Sequence, residues 1–590
     1  MSVKNKYLFL CFLLNRFVAL SGYVTVCEPV VTDEAPIVKI PDFGTFRGAA
    51  TISLQRNRTI YQFLGLPYAV PPMGFLRFKA PVPITQLNQD VVYDASRFKS
   101  RCPQLVNDED LMYLKQSLEK SEDCLYLNVF TITKDGENQK PLLPVMVYIH
   151  GGGYYQNSAV EHCPNYLLDH DIILVTLQYR LGPLGFLNFE TDDVPGNMGL
   201  LDTLEALEWV NKYIRYFGGD NQRVTIAGQS SGANSVSLML VSPLVKPGLF
   251  QQAIVQSGNF FGDWSIDEHS KIHAFEFAEK LNCSDTNISD VTDCLRKVSP
   301  FHLMHAHNIY MRERIIKTTN IVKEIGICHA VVQTNDLTKA FLVEDPKESM
   351  KNGRFLKVPI LTGVTKDEGS MLLSEVVDYV LKPALIKLSL NSHNESVYLK
   401  NQFFHDFIHF IGVDGDMERL EMLKDFYLPD EACSEFNHTV PGLVDLGGAI
   451  IFKTTVLELA RSMREHAPTY LYTFNFKGRK TKLGYGKPVK HMYLNGVAHS
   501  DELLYLFPDN RDPSLTKAEE KTVIHMSRLW ASFVINGRNL IATDDLPFWP
   551  PMNTSVGPYL QIGAKVKDSN LQSSDPKSDA LSVRPHGLLE

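Results

Sequence analysis

Apolar residues along this chain come in short continuous runs that end in glycine-containing loops, and the runs recur through much of its length. They cover residues 144–149, 172–177, 223–227, 252–255, 358–361 and 470–474. Runs this short, rich in β-branched and aromatic residues and unbroken by polar positions, predict strands buried on both faces. Between them lie amphipathic stretches, the clearest over 200–214, where Leu200, Leu204, Leu207 and Val210 recur at helical spacing. Strand alternating with helix predicts an α/β fold. Its sheet should be large and mostly parallel with helices on both faces, and sites should form beyond the carboxyl ends of the strands.

Ahead of residue 144 the texture changes. Residues 44–48 and 61–68, followed by Pro71 and Pro72, predict short antiparallel strands and turns. Segments 263–354 and 376–436 read as mostly helical and polar, and are expected to be insertions lying over the sheet. At the N-terminus Lys4 and Lys6 precede an apolar run, 7–14, which Asn15 and Arg16 interrupt before small residues gather near Ser21 and Gly22. This is the pattern of a signal peptide over residues 1–21; the alternative is a buried N-terminal helix. A membrane span needs about 20 apolar residues, and the polar tail 565–590 has neither a hydrophobic anchor nor an ER-retention ending. The expected product is secreted, without a membrane anchor.

Composition alters this picture little. Of 590 residues, 44% are hydrophobic and 21% charged, which excludes disordered, collagen-like and coiled-coil classes. A formal charge of −9 and only 4 Trp give no basic, aromatic-interleaved surface, so no nucleic-acid partner is expected. Length alone suggests about four domains. The 9 Cys are too few for a disulfide scaffold. Asn-x-Ser/Thr triplets at Asn57, Asn287, Asn394, Asn437 and Asn553 are expected glycosylation sites, whereas the one at Asn282 carries Cys283 in its middle and is a poor acceptor.

The sharpest chemical signal is Gly228-Gln229-Ser230-Ser231-Gly232, a Gly-x-Ser-x-Gly pattern where a predicted strand gives way to an expected helix over 234–240. A serine at such a turn needs strained backbone angles, and the flanking glycines lack the Cβ atoms that would clash. Ser230 would then project above the sheet; the bland alternative is a glycine-rich turn. Charge developing on an attacked carbonyl oxygen calls for fixed N–H donors. The run His150-Gly151-Gly152-Gly153-Tyr154 follows a predicted strand and can aim successive N–H groups into one concavity, joined by that of Ser231; a flexible loop is the alternative here. A serine hydroxyl also needs a base, and the base a carboxylate, in the order serine, acid, histidine. Segments 364–370 and 496–502 come late in that order, but the residues alone do not choose Glu368 over Asp367, or His499 over His491.

The chain resembles the type-B carboxylesterase and cholinesterase family. The likeness is carried by residues 63–69, 122–129, the glycine run after His150, 179–186, 196–200, the Ser230 turn, 366–370 and 496–499, in the family's order across nearly the whole chain. The resemblance implies an α/β-hydrolase fold in one catalytic domain over 22–564. It implies Ser230 as nucleophile, Glu368 as acid and His499 as base, with Gly152, Gly153 and Ser231 as oxyanion donors. Asp367 becomes a structural neighbour, and neither a cofactor nor a metal is implied. It also implies disulfides Cys102–Cys124 and Cys283–Cys294; Cys11 leaves with the signal peptide, and Cys27, Cys163, Cys328 and Cys433 stay unassigned.

Departures from the family pattern narrow the expectation. Gln229 stands where many members have Glu, which is similar to juvenile hormone esterases and other insect esterases. Asp202-Thr203 replaces the usual Asp-Gln. The stretch between Cys102 and Cys124 has no Trp, which removes the aromatic face that would hold a quaternary ammonium and argues against a cholinesterase. Trp264 is either an acyl-pocket wall or a packed core residue, and Ser257 a hydroxyl near the triad. The expected activity is hydrolysis of a small-molecule carboxylic ester through an acyl-enzyme. A juvenile hormone esterase is the narrower alternative. A non-catalytic cholinesterase-like adhesion or binding protein is the alternative from another class, since fold does not fix function.

Overall fold

Each expected apolar run contributes to a strand, and all lie in one 11-stranded sheet. In chain order the strands are β1 (Ala49–Ile52), β2 (Thr59–Pro67), β3 (Tyr126–Thr131), β4 (Leu143–Ile149), β5 (Ile173–Leu177), β6 (Gly219–Gln229), β7 (Gln252–Gln256), β8 (Ile360–Thr365), β9 (Thr469–Phe474), β10 (Leu560–Ile562) and β11 (Lys567–Asp568). Their spatial order is β11-β10-β9-β8-β7-β6-β4-β5-β3-β2-β1. The pairs from β5 through β4, β6, β7, β8 and β9 to β10 are parallel. The pairs at both edges are antiparallel, β11 on β10 at one side and β5-β3-β2-β1 at the other. The structure, a computed structural model, describes Cys27 and residues 35–568 apart from 105–118, 135, 139, 323–328, 334–336, 388–391, 414–416, 429–434, 483–495, 510–511, 513, 539, 541–547 and 564–566. The expected signal peptide, most of the polar tail, and Cys11, Cys328, Cys433 and His491 lie outside the described residues.

The principal helices are α1 (Met198–Tyr213), α2 (Ser231–Val241), α3 (Pro300–Thr318), α4 (Phe403–Phe410), α5 (Phe436–Gly448), α6 (Thr454–Arg464) and α7 (Lys517–Asn536). Alternate residues of one strand feed opposite faces of a sheet. Val145, Val147 and Ile149 of β4 pack in the cluster that holds Leu200 and Leu207 of α1 and Val236 of α2. Met146 and Tyr148 pack instead with Val523, Met526 and Trp530 of α7. With helices on both sides, every residue of β4, β5, β8 and β9 is buried, which is why their sequences run apolar without alternation. This is the α/β-hydrolase arrangement that the resemblance implies.

The N-terminal part is antiparallel as expected, in β1–β3 and in a small separate sheet where Ile37–Ile40 pairs with Gly44–Arg47. Both insertions are helical. The second is not simply polar: α4 buries Phe403, Phe404, Phe407, Ile408 and Phe410 in a core of its own with Leu423, Leu443 and Leu446. Five of the eight α4 residues are apolar, with His405, Asp406 and His409 between them. The segment Phe436–Arg464 has the length and composition of a membrane span, yet 72% of its apolar window is buried inside the protein. Three disulfides cross the described chain: Cys102–Cys124, Cys283–Cys294, and Cys27–Cys163, whose partners stand 136 residues apart.

Candidate active site

Ser230 sits between β6 and α2 with φ 58° and ψ −127°, a conformation that costs a non-glycine residue about 1–3 kcal/mol. The surroundings hold it there. Its N–H donates to Gln256 O at 2.9 Å and its carbonyl accepts from Asn234 N at 2.9 Å. A Cβ on Gly228 would lie 2.4 Å from the backbone of Gly232, one on Gly232 2.2 Å from Ile149 O, and one on Gly258 2.4 Å from Ser230 O. The turn therefore closes on itself and on the neighbouring strand ends, and glycine is the residue that fits. Serine at a helix start usually caps the first free N–H groups, but the Ser230 side chain makes no capping bond.

The glycine run follows β4. Gly152 has φ +115° and Gly153 φ +59°, and a Cβ on Gly151 would come within 2.5 Å of Gln229 O. The run thus lies against the Ser230 turn. Ser231 ties the two together, its Oγ accepting from Tyr154 N at 3.3 Å. Among the described residues, the N–H groups of Gly152 and Gly153 have no hydrogen-bond partner.

Glu368 and His499 follow β8 and β9. Glu368 is fully buried. Its Oε1 accepts from Ser257 Oγ at 2.5 Å and from Thr365 N at 2.7 Å, and its Oε2 faces His499 Nδ1 at 2.6 Å. Burial pushes this carboxyl up, but His499, Ser257 and the Thr365 N–H together outweigh it and hold it below the ordinary carboxylate range. Asp367 does different work. It accepts from Val497 N at 2.7 Å and donates its own N–H to Val497 O, which clips the β8 loop to the loop that carries His499.

With the Nδ1 proton directed at Glu368, His499 Nε2 is an acceptor. The Gln229 side-chain amide lies 3.1 Å from it. Among the described residues, no hydrogen bond runs from Ser230 Oγ to His499; the structure brings acid and base together and sets Gln229 beside the base. One face of the imidazole stacks on Phe452, ring centroids 4.5 Å apart and planes inclined by 17°. Sequence patterning gave no sign of Phe452, because the contact depends on the phase of a helix far along the chain. Trp264 is buried, donates to Ile451 O at 3.3 Å and sets its edge against Phe452.

More buried acid surrounds the site. Burial and the nearby Glu368 charge push the Glu502 carboxyl well up; its Oε1 accepts from Gln256 at 3.3 Å, and Oε2 has no described partner. Burial raises Asp501 to about 6 against the backbone bonds it accepts. Thr203 folds its hydroxyl back onto Leu200 O of its own helix, while Asp202 makes a bidentate, buried pair with Arg180. Described sequon residues Asn57, Asn287, Asn437 and Asn553 are exposed; the Asn394 side chain lies outside the described ones.

A family model described as the carboxylesterase family matches residues 34–578. The chain is 34% identical over 559 residues to a juvenile hormone esterase of Tribolium castaneum, spanning 90% of this chain and 88% of that protein. It is 29% identical over 573 residues to esterase FE4 of Myzus persicae, spanning 96% and 95%. It is 30% identical over 551 residues to the pyrethroid hydrolase Ces2e of Rattus norvegicus, spanning 91% and 88%.

Proposed function

The chain belongs to the carboxylesterase family and is a carboxylic-ester hydrolase, and from that premise we propose that it is a secreted serine esterase with Ser230, His499 and Glu368 as its triad. Ser230 Oγ adds to the ester carbonyl carbon as His499 Nε2 takes the hydroxyl proton. Glu368 holds the Nδ1 proton, fixes the tautomer and stabilises the imidazolium. Charge on the carbonyl oxygen falls to the N–H groups of Gly152, Gly153 and Ser231, each worth about 3 kcal/mol in the transition state. Collapse expels the alcohol, which takes the proton from Nε2 and leaves the acyl group on Oγ. Water then adds to the acyl carbon, giving a proton to Nε2; the acid leaves and Oγ recovers its proton. Gln229 yields Nε2 to Ser230 when substrate arrives, since catalytic hydrogen bonds commonly tighten only in the complex.

The observation that carries this is the 2.6 Å contact between Glu368 and His499, 131 residues apart, beside the strained serine turn. Secretion is supported by the leader pattern, the disulfides and the exposed sequons. The leader, one catalytic domain over 22–564 and a polar tail make up the chain. Ser230→Ala should fold, lose about 10⁶-fold in turnover of a chromogenic short-chain ester and lose all labelling by a fluorophosphonate probe. Folded wild-type protein that neither hydrolyses nor labels would favour the binding-protein alternative instead. A juvenile hormone esterase is the narrower reading, favoured by Gln229 and by the Tribolium relative. It requires kcat/KM for a long terpenoid ester to exceed that for short acyl and choline esters.

A further inference from the structure

Between α5 and α6 the helix does not run straight through. Residues Ala449–Lys453 form a π turn, in which one extra residue enters the helical turn and shifts the phase of all that follows. Such turns cost hydrogen-bond geometry and gather at functional sites. Here side chains take up the disturbed carbonyls: Thr454 Oγ1 donates to Ala449 O at 2.8 Å, Trp264 Nε1 to Ile451 O at 3.3 Å and Thr455 Oγ1 to Phe452 O at 2.9 Å. Lys453, itself buried, is tied back to Asp445 at 2.8 Å. The turn is thus fixed from several directions, and its product is the Phe452 ring lying flat on His499.

We propose that Phe452, aimed by this π turn, is a positioning residue for His499. It rests on His499 being the base. Glu368 and Gln229 hold the two nitrogen edges of the imidazole, but both contacts survive a tilt of the ring about the line joining them. A flat neighbour on one face removes that freedom. The same face also attracts the imidazolium that forms when the proton arrives. Phe452 is only 3% exposed and also packs against Trp264, so it has little surface to offer a substrate. Its effect belongs in kcat, since misplacing a reacting group by about 1 Å costs about 10²-fold.

The test compares Phe452→Leu with Phe452→Tyr in the secreted full-length enzyme, Phe452→Met replacing the leucine variant if that one is not recovered folded. With a short-chain ester, Phe452→Leu should lower kcat by about 10- to 100-fold with KM little changed. The fluorophosphonate labelling rate should fall in the same proportion, because that reaction needs the base but not the ester site. Phe452→Tyr should restore most of both. A Phe452→Leu enzyme with wild-type kcat, a change confined to KM, or a tyrosine variant as impaired as the leucine one would overturn the proposal. A wild-type protein that neither hydrolyses nor labels would overturn the triad itself; an active wild type with an unimpaired Phe452→Leu overturns the positioning role alone.

Discussion

Glu502 stands three residues beyond the base and keeps its proton where an unfolded glutamate has lost it, above about 4.3. The native state binds more protons than the unfolded one over that range, so this residue lowers stability as pH rises from about 4.3 toward its native value. Glu502→Gln keeps an oxygen for the Gln256 amide and removes the titration. Its urea midpoint should match wild type near pH 4 and exceed it at pH 8; parallel pH profiles for the two proteins would contradict this. At this scale the sequence left Asp367 and Glu368 undivided, because adjacent acids share every composition and spacing cue. The family resemblance chose Glu368, and the pairing of two loops gives the physical difference: Asp367 meets a backbone N–H and Glu368 meets the imidazole. Gln229 was visible as a departure from the family's glutamate, but its contact with His499 was not.

Helix α5 presses so closely on the acid's loop that a Cβ on Gly369 would lie 2.1 Å from Val444 O and 2.6 Å from Gly448 N. Gly369→Ala should therefore displace Glu368, its neighbour, losing about 3 kcal/mol of stability and most of the fluorophosphonate labelling. Thermal melts and labelling rates check both, and a variant with wild-type values in the two assays would refute the close-packing argument. The strands were legible because burial on both faces leaves no polar position to blur the run. The helix over Phe436–Arg464 was not: Pro441 and the pair Gly447-Gly448 read as breakers, and a π turn disrupts the periodicity that would reveal one continuous element. The apolar face of α4 was legible in its sequence, where five of eight residues are apolar, and the expectation of a polar segment was wrong there.

For the whole molecule, fold class and the order of the chemistry-bearing loops were readable from the recurrence of strand, loop and helix. The long-range closure of the N-terminus was not, since nothing local in the sequence announces that Cys27 meets Cys163. Removing that link by Cys27→Ser with Cys163→Ser should cost about 2–4 kcal/mol, less than the chain-entropy limit for a loop this long. A melting temperature equal to wild type would show that the bridge adds nothing. The pattern of linkage also constrains how the protein is made. On the proposed export route Cys27 reaches the oxidising lumen first, and Cys102 and Cys124 emerge before its partner does. The final connectivity is nested, with Cys102–Cys124 lying inside the span from Cys27 to Cys163. Pairing each cysteine with the next to arrive would trap Cys27 on Cys102, so biosynthesis must either seal the inner loop first or rely on thiol–disulfide exchange to release a wrong partner.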